Sequence, residues 1–359
     1  MHSSRLIRKL GAGGLLLALL PWWGSRCAAP PNQLPAGSFP PAGRLRGVSW
    51  VAGDSVTAAD LAALRRQHVT WLAQTPFGWQ ADSAAPVVQL RTDRGRVYWG
   101  ETDSGLVHTA RLARRQGIRT LLKPHVWLQA RGQWPGQIRM RSEADWQAWF
   151  ASYSAFILHY ARLAEAHGME ALCIGTELRH AAVDHEAQWR QLIKQVRQVY
   201  RGRLTYAANW HEEYSRIGFW DALDFIGVQA YFPLSSLPRP DTAALRRAWQ
   251  PHLRELARVQ RRFGRPVLFT EVGYRATPTA AAAPWQWPDP RQPQPFDPAT
   301  QAACYEALFR ACWRQPWLAG VFVWKWYPGL PPDGPARLRA DFTPQHLPAE
   351  AVMRRWYAR

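Results

Sequence analysis

Short apolar runs alternate with helical stretches along most of the chain. From residue 45 onward, runs of four or five mostly apolar residues recur, as in strands buried on both faces of a parallel sheet. Eight runs are predicted strands: 47–51, 69–73, 119–123, 171–175, 204–208, 225–229, 267–270 and 321–324. Because helical stretches separate them, the pattern predicts eight strand–helix units. The expected fold is α/β, a (β/α)8 TIM barrel formed by residues 45–359 as a single domain.

The clearest predicted helix covers residues 143–167. Ser142 is placed to cap its first turn, Asp145 follows three residues later, and Gly168 marks its end. A second helix is predicted over 189–200, where apolar residues recur at helical spacing. These helices are expected to cover the outside of the barrel.

Two long connections are predicted to lie over the mouth of the barrel. They cover residues 80–104 and 275–300, and loops of this length are often functional. Residues 348–359 are predicted to form a closing helix. Functional groups of such barrels lie at the carboxyl ends of the strands, so the polar residues there are the candidates for chemistry.

Two glutamates each follow an apolar strand. Glu177 comes after the fourth predicted strand and Glu271 after the seventh. A carboxylate at the rim of a core is costly to bury without partners, and two of them facing one cleft suit glycoside hydrolysis, which needs a pair. The alternative is that each glutamate is a salt-bridged strand end. The presence of both favours catalysis.

The first 29 residues have the pattern of a targeting segment. Arg5, Arg8 and Lys9 precede a short apolar stretch over residues 10–23. Residues 1–29 are therefore predicted to be a signal peptide or a lipoprotein or membrane anchor, and the role of Cys27 stays open. Residues 30–44 are predicted to be a proline-rich linker. We expect an exported protein, associated with a membrane only through this segment.

Net charge and aromatic content say less about function than the residues at the strand ends do. The net charge of +19 invites a nucleic-acid partner, but the arginines are scattered along helical stretches, so none is predicted. The 21 tryptophans suit either core packing or stacking on sugar rings. Their frequent position at strand ends and in loops favours stacking for some of them.

Neither cofactor nor metal is predicted. His211, Glu212 and Glu213 are adjacent in sequence, which is not a metal-ligand spacing. Cys304 and Cys312 lie too far apart on one predicted helix to form a disulfide, so buried free thiols are expected.

Several strand ends together resemble clan A glycoside hydrolases, and more narrowly the β-mannanase family 113. The similarity covers the chain from about residue 45 to its end. The matching segments are Gly-Thr-Glu-Leu at 175–178, Asp-Phe-Ile-Gly-Val-Gln-Ala-Tyr-Phe-Pro-Leu at 224–234, Thr-Glu-Val-Gly-Tyr at 270–274 and Phe-Val-Trp-Lys-Trp-Tyr at 322–327. Residues 122–126, 205–210 and 341–345 also fit.

This resemblance implies a retaining mechanism with Glu177 as acid/base and Glu271 as nucleophile. Tyr231 resembles the clan's tyrosine that hydrogen-bonds the nucleophile, with a strand-end core tyrosine as the alternative. Trp324 resembles the tryptophan that forms the floor under the sugar. Trp326 is second choice, because it shares that face by the period-two rule.

Further substrate-binding candidates lie near these strand ends. His125 and Asn209 are candidates for sugar hydroxyls, although a core histidine is an alternative for His125. Thr176 stands where much of the clan has asparagine, so Asn209 or Gln229 is left to contact the sugar 2-hydroxyl. Trp127 stands where the resemblance implies a small acidic residue and is expected to alter a substrate subsite. Trp134 and Trp210 are candidates for stacking.

The sequence therefore predicts a monomeric glycoside hydrolase, endo-β-1,4-mannanase-like, acting on mannan or manno-oligosaccharides. Two alternatives remain: a retaining enzyme of the same clan on another β-glycan, and a barrel that binds glycan without catalysis.

Overall fold

A computed structural model describes residues 43–91, 97–287, 295–334, 338 and 340–359. Eight parallel strands close into a barrel in the order β1-β11-β10-β9-β8-β7-β5-β2, and three further strands form a separate sheet. The strands are β1 Leu45–Trp50, β2 Trp71–Gln74, β3 Phe77–Gln80, β4 Gln89–Leu90, β5 Arg119–Leu122, β6 His125–Leu128, β7 Ala171–Thr176, β8 Arg203–Asn209, β9 Ile226–Gln229, β10 Val267–Val272 and β11 Leu318–Trp326. The predicted barrel and all eight of its strands are confirmed. The predicted segment 1–29, and residues 30–42 of the predicted linker, lie outside the described residues.

Helices surround this barrel. They are α1 Ala58–Arg66, α2 Asp103–Arg115, α3 Glu143–Ala166, α4 Arg179–Asp184, α5 Glu186–Val199, α6 Thr242–Phe263, α7 Pro298–Cys312 and α8 Pro348–Tyr357. The predicted cap of α3 is present, since Ser142 Oγ accepts a hydrogen bond from the Asp145 backbone N–H at 3.1 Å. The closing helix also begins where it was predicted, at Pro348.

The barrel has two apolar layers. A small inner cluster takes its members from strand positions, among them Leu121 of β5, Cys173 of β7 and Leu268 of β10. A much larger outer cluster lies between the strands and the helices, and it contains Phe269 and Trp189. Alternate residues of each strand therefore enter different layers, as the period of two requires.

The small sheet at the rim was not predicted. Its strand order is β4-β3-β6, with β3 parallel to β6 and antiparallel to β4. The predicted connection 80–104 is therefore partly regular structure, because it contains β4 and the start of α2. Strands of two to four residues are too short to give a periodic signal.

Three cysteines are buried free thiols, as predicted: Cys173, Cys304 and Cys312. Cys27 lies outside the described residues. No helix within the described part of the chain is long and apolar enough to cross a membrane.

The last helix closes the barrel seam between β1 and β11. Tyr357 is fully buried, and its hydroxyl lies 2.8 Å from the Gly47 carbonyl oxygen of β1 and 3.0 Å from the Val321 carbonyl oxygen of β11. One side chain of α8 therefore binds the first and the last strand of the barrel.

Tyr357→Phe is expected to lower the free energy of unfolding by about 1–3 kcal/mol, because two buried carbonyls lose this donor. Urea denaturation followed by circular dichroism measures the change. Tyr98→Phe is the matched control, since Tyr98 is 59% exposed and surface changes usually stay within about 0.5 kcal/mol. Equal losses in the two variants would contradict the role of Tyr357.

Candidate active site

A β-bulge directs Glu271 toward the mouth of the barrel. In β10, Phe269 pairs with Val228 of β9, but Glu271 pairs with the next residue, Gln229, so β10 carries one extra residue there. Phe269 lies in the outer layer, and strict alternation would place Glu271 on that same side. The extra residue reverses the alternation, as bulges near active sites commonly do.

Glu271 is a buried carboxylate with cationic and neutral donors. It is 4% exposed, and the fully buried ammonium of Lys123 forms an ion pair with its Oε1 atom. The Tyr231 hydroxyl donates to Oε2 at 2.9 Å. Burial acts to raise the pKa of Glu271, but the charge of Lys123 and the hydrogen bonds outweigh it and lower the pKa. The carboxyl is therefore held in its ionised form.

Glu177 lies just beyond the end of β7 in an unusual backbone conformation. Its φ of 53° is in the left-handed region, which a residue with a side chain adopts at a cost. Asn209, the last residue of β8, donates from Nδ2 to Glu177 Oε1 at 2.8 Å. This contact orients the carboxyl from the neighbouring strand.

The environment of Glu177 favours its protonated form. Burial, followed by the negative charge of Glu271, raises the pKa of Glu177 to about 7. The hydrogen bond from Asn209 and the charge of Lys123 oppose this shift without cancelling it. The two carboxyls of one cleft thus have pKa values pushed in opposite directions, the pattern of an acid beside an ionised partner.

The predicted ligand His125 lies in β6, with Nε2 3.8 Å from Glu271 Oε1. Burial and the charge of Lys123 lower the pKa of His125 to about 3, so the ring is neutral. Its Nε2 atom is buried and has no hydrogen-bond partner among the described residues. His125 therefore lies beside Glu271, and its role in binding sugar hydroxyls stays a prediction.

Gln229 and Trp324 were also predicted to contact substrate. Gln229 is 1% exposed, its Oε1 accepts from Thr270 Oγ1 at 3.0 Å, and a hydrogen bond from its side chain also helps to lower the pKa of Glu271. Trp324 lies near the end of β11, half-buried, with its ring centre 5.7 Å from Lys123 Nζ. Its position beside the buried cation places it at the base of the site.

The other predicted tryptophans are spread around the mouth. Trp127 of β6 is 53% exposed. Trp210 follows Asn209 and stacks on Trp285, with ring centres 4.9 Å apart. Trp134 begins the short 3-10 helix Pro135–Gln137, and no described contact joins it to either glutamate.

Trp326 requires a correction. It was predicted to share the face of Trp324, but it is 5% exposed and belongs to the outer core cluster. The pairing of β1 with β11 shifts register between Val48 and Trp50, so β11 carries an extra residue before Trp326. This irregularity breaks the period-two alternation on which the prediction depended.

Lys123 was missed as a site residue. It follows Leu122 of β5 and lies two positions beyond Leu121, which belongs to the inner cluster. The period of two therefore directs Lys123 inward, and a lysine that ends an apolar strand was a usable signal. Glu213 was missed as well: it is fully buried, accepts from the Tyr206 hydroxyl and from the Asn209 backbone N–H at 2.7 Å, and so fixes Asn209.

Within the described residues, no group of three or more His, Cys, Asp or Glu side chains could hold a metal ion. The charged groups at the centre of the site interact with one another instead.

A parallel barrel with two buried carboxyls at its mouth has the arrangement that glycoside hydrolysis uses. Comparison with protein families identifies the group: the model of Glycoside Hydrolase Family 113 matches residues 49–346. The chain belongs to this family and is a glycoside hydrolase.

Solved structures agree with this assignment. A family 113 β-mannanase from Alicyclobacillus acidocaldarius, in complex with ManMIm, is 30% identical, with a TM-score of 0.76 over 88% of this chain and 97% of that one. A second family 113 structure, a β-1,4-mannanase, is 25% identical, with a TM-score of 0.75 over 88% of this chain and 98% of that one. A β-glucuronidase from Faecalibacterium prausnitzii shares the fold at 14% identity, with a TM-score of 0.54 over 88% of this chain and 49% of that one. The comparison with curated proteins gives no match.

Lys123→Met is expected to raise the pKa of Glu271, because burial then acts without a compensating cation. The acidic limb of the kcat/KM–pH profile should move to higher pH. At pH 6 kcat/KM should fall by about 100-fold, equivalent to about 2.7 kcal/mol. Hydrolysis rates measured between pH 3 and 9 test both effects.

The matched control is Lys325→Met. Lys325 is also buried, and its Nζ lies 3.4 Å from Asp341 Oδ2, so the variant loses a comparable ion pair without touching Glu271. Its acidic limb should stay where it is in the unmodified enzyme. A shift of the same size in both variants would contradict the specific role of Lys123.

Proposed function

We propose that this enzyme is a retaining glycosidase that cleaves β-mannosidic linkages in mannan or manno-oligosaccharides. The observation that carries the proposal is a pair of buried carboxyls with unlike partners, since Glu271 contacts the Lys123 ammonium and the Tyr231 hydroxyl whereas Glu177 contacts the Asn209 amide. The substrate class is supported by family membership and by the two β-mannanase structures, which the chain resembles at 30% and 25% identity.

In the first step the ionised Glu271 attacks the anomeric carbon of the sugar. The glycosidic C–O bond breaks, and Glu177 gives its proton to the departing oxygen, so the leaving chain departs as a neutral alcohol. A covalent glycosyl ester on Glu271 results. The Tyr231 hydroxyl and Lys123 hold the nucleophile in place before the attack.

In the second step the change of charge at Glu271 alters the pKa of Glu177. Esterification removes the negative charge of Glu271, which is one cause of the raised pKa of Glu177. The pKa of Glu177 therefore falls, and its carboxylate takes a proton from water as the water attacks the anomeric carbon. The ester bond breaks, Glu271 leaves as a carboxylate and the sugar leaves with its original configuration.

Neighbouring side chains fit the remaining roles. Trp324 at the base of the site offers a flat face to the sugar at the cleaved bond. Asn209 is fixed by Glu213 and bound to Glu177, and this position beside the acid supports a role for its amide in binding the sugar 2-hydroxyl. Hydrogen bonds to that hydroxyl strengthen in the transition state of glycosidases.

The pH dependence of kcat/KM on mannotetraose is expected to be bell-shaped. Activity should fall above about pH 7 as Glu177 loses its proton, and it should fall at acidic pH only below the ordinary glutamate value of 4.5. Glu101→Gln is the control, because burial also raises the pKa of Glu101 to about 7. A profile whose alkaline limb disappears in Glu101→Gln would remove the assignment to Glu177.

Glu177→Ala and Glu271→Ala should separate the two roles. Each variant is expected to lose about 100- to 10,000-fold in kcat on mannan, the usual range for a lost acid/base group and a lower bound for the nucleophile. With a dinitrophenyl β-mannoside, whose leaving group needs no acid, azide should rescue Glu177→Ala and give the β-mannosyl azide. Azide should convert Glu271→Ala to an enzyme that makes the α-mannosyl azide.

Proton NMR of the first product shows the anomeric configuration of the sugar that is released. Release of α-mannose by the unmodified enzyme would overturn the retaining mechanism. Cleavage of another β-glycan but not of mannan would keep the mechanism and overturn the substrate.

A further inference from the structure

The rim sheet has two chemically different faces. Along β3 and β6 the residues alternate between burial and exposure, as expected for a sheet with one covered face. The buried positions are Gly78, Gln80, Val126 and Leu128, and the more exposed positions are Phe77, Trp79, His125 and Trp127.

The covered face is fixed on α3. A Cβ atom at Gly78 would lie 2.8 Å from the ring of Phe156 and from a methyl group of Val88, so only glycine allows this approach. Trp149 of α3 donates from Nε1 to Gln80 Oε1 at 3.0 Å. The rim sheet is therefore held rigidly against α3, and this contact fixes the positions of the side chains on its open face.

The open face carries four rings in contact. The register pairs Phe77 with His125 and Trp79 with Trp127. Ring centres are 5.6 Å apart for Phe77 and His125, 5.9 Å for Phe77 and Trp127, and 6.3 Å for Trp79 and Trp127. At the outer end, the guanidinium of Arg91 lies 4.9 Å from the ring centre of Trp79. We name Phe77, Trp79, His125 and Trp127 the aromatic strip.

The aromatic strip begins at the catalytic centre. His125 lies 3.8 Å from Glu271, and one step of two residues along β6, about 7 Å, leads to Trp127. Trp127 is 53% exposed, a large apolar surface for a rigid strand position. The ring planes are inclined to one another by 66°, 87° and 52°, so the aromatic strip offers both ring faces and ring edges. Uncharged aromatic surface of this kind suits successive pyranose rings, whose C–H faces are apolar and whose hydroxyls point to water.

We propose that the aromatic strip binds the sugar units of the substrate that lie on the non-reducing side of the cleaved bond, with Trp127 as the main contact beyond the sugar attached to Glu271. The inference rests on the proposed function. The assignment to the non-reducing side follows from the geometry. The aromatic strip approaches Glu271, the proposed nucleophile, which bonds to the sugar on the non-reducing side of the cleaved bond. The acid Glu177 is bound instead by Asn209 of β8, next to Trp210, and the leaving chain departs there.

The test compares aryl β-mannosides that carry one, two or three mannose units before the aryl group. In the unmodified enzyme kcat/KM should rise with each added unit. Trp127→Ala should reduce the ratio of kcat/KM between the three-unit and one-unit substrates by about tenfold, the size typical for removing an aromatic contact. Trp127→Phe keeps a ring and should retain most of the ratio.

Trp285→Ala serves as the comparison at the opposite wall. Trp285 is 44% exposed and stacks on Trp210, so its loss should leave the ratio as it is in the unmodified enzyme. Circular dichroism confirms that each variant is folded. An unchanged ratio in Trp127→Ala, with normal turnover of mannosides by the unmodified enzyme, would contradict substrate binding by the aromatic strip. It would not contradict the proposed function. Absence of any mannoside turnover would overturn both.

Discussion

The site depends on one constraint, which is the burial of a negative charge at the top of a closed barrel. An ionised carboxyl that is 4% exposed would be strongly destabilised without compensation. Lys123, which follows β5, and Tyr231, which follows β9, supply this compensation for Glu271 of β10. Only strand closure with the bulge before Glu271 brings these groups to one point.

Glu177 and Glu271 carry the same chemical group, so the difference between their pKa values comes from their surroundings. Glu271 interacts with a cation, and Glu177 interacts with a neutral amide and with the negative charge of Glu271. Lys123 and the hydrogen bonds to Glu271 therefore lower the pKa of Glu271, whereas burial and the charge of Glu271 raise the pKa of Glu177. In the retaining mechanism that we propose, esterification of Glu271 would remove the negative charge that raises the pKa of Glu177, and that pKa would fall.

Much of this arrangement was predictable from sequence because apolar strands and their last residues follow a simple period. The eight barrel strands, Glu177, Glu271, Asn209 and Tyr231 were all found in this way, and the structure brings these four side chains together. Features that depend on register were not found. The bulges in β10 and β11 shift alternation by one residue, which moves Trp326 into the core. The short rim strands give no periodic signal, and their pairing depends on contacts with α3.

Helix α3 contacts two parts of the structure that are separate in sequence, the rim sheet and β7. Trp149 and Phe156 on this helix support the rim sheet through Gln80 and Gly78. Between them in the helix, the Tyr153 hydroxyl donates to the Ile174 carbonyl of β7 at 2.9 Å, three residues before Glu177. The aromatic strip, which we infer to hold the sugar chain, and β7, which Glu177 follows and which we propose positions the acid, are therefore both fixed to α3. Catalysis by positioned groups requires that their relative positions be accurate to well below 1 Å. A shared support on α3 would fix the position of the sugar chain relative to the proposed proton donor.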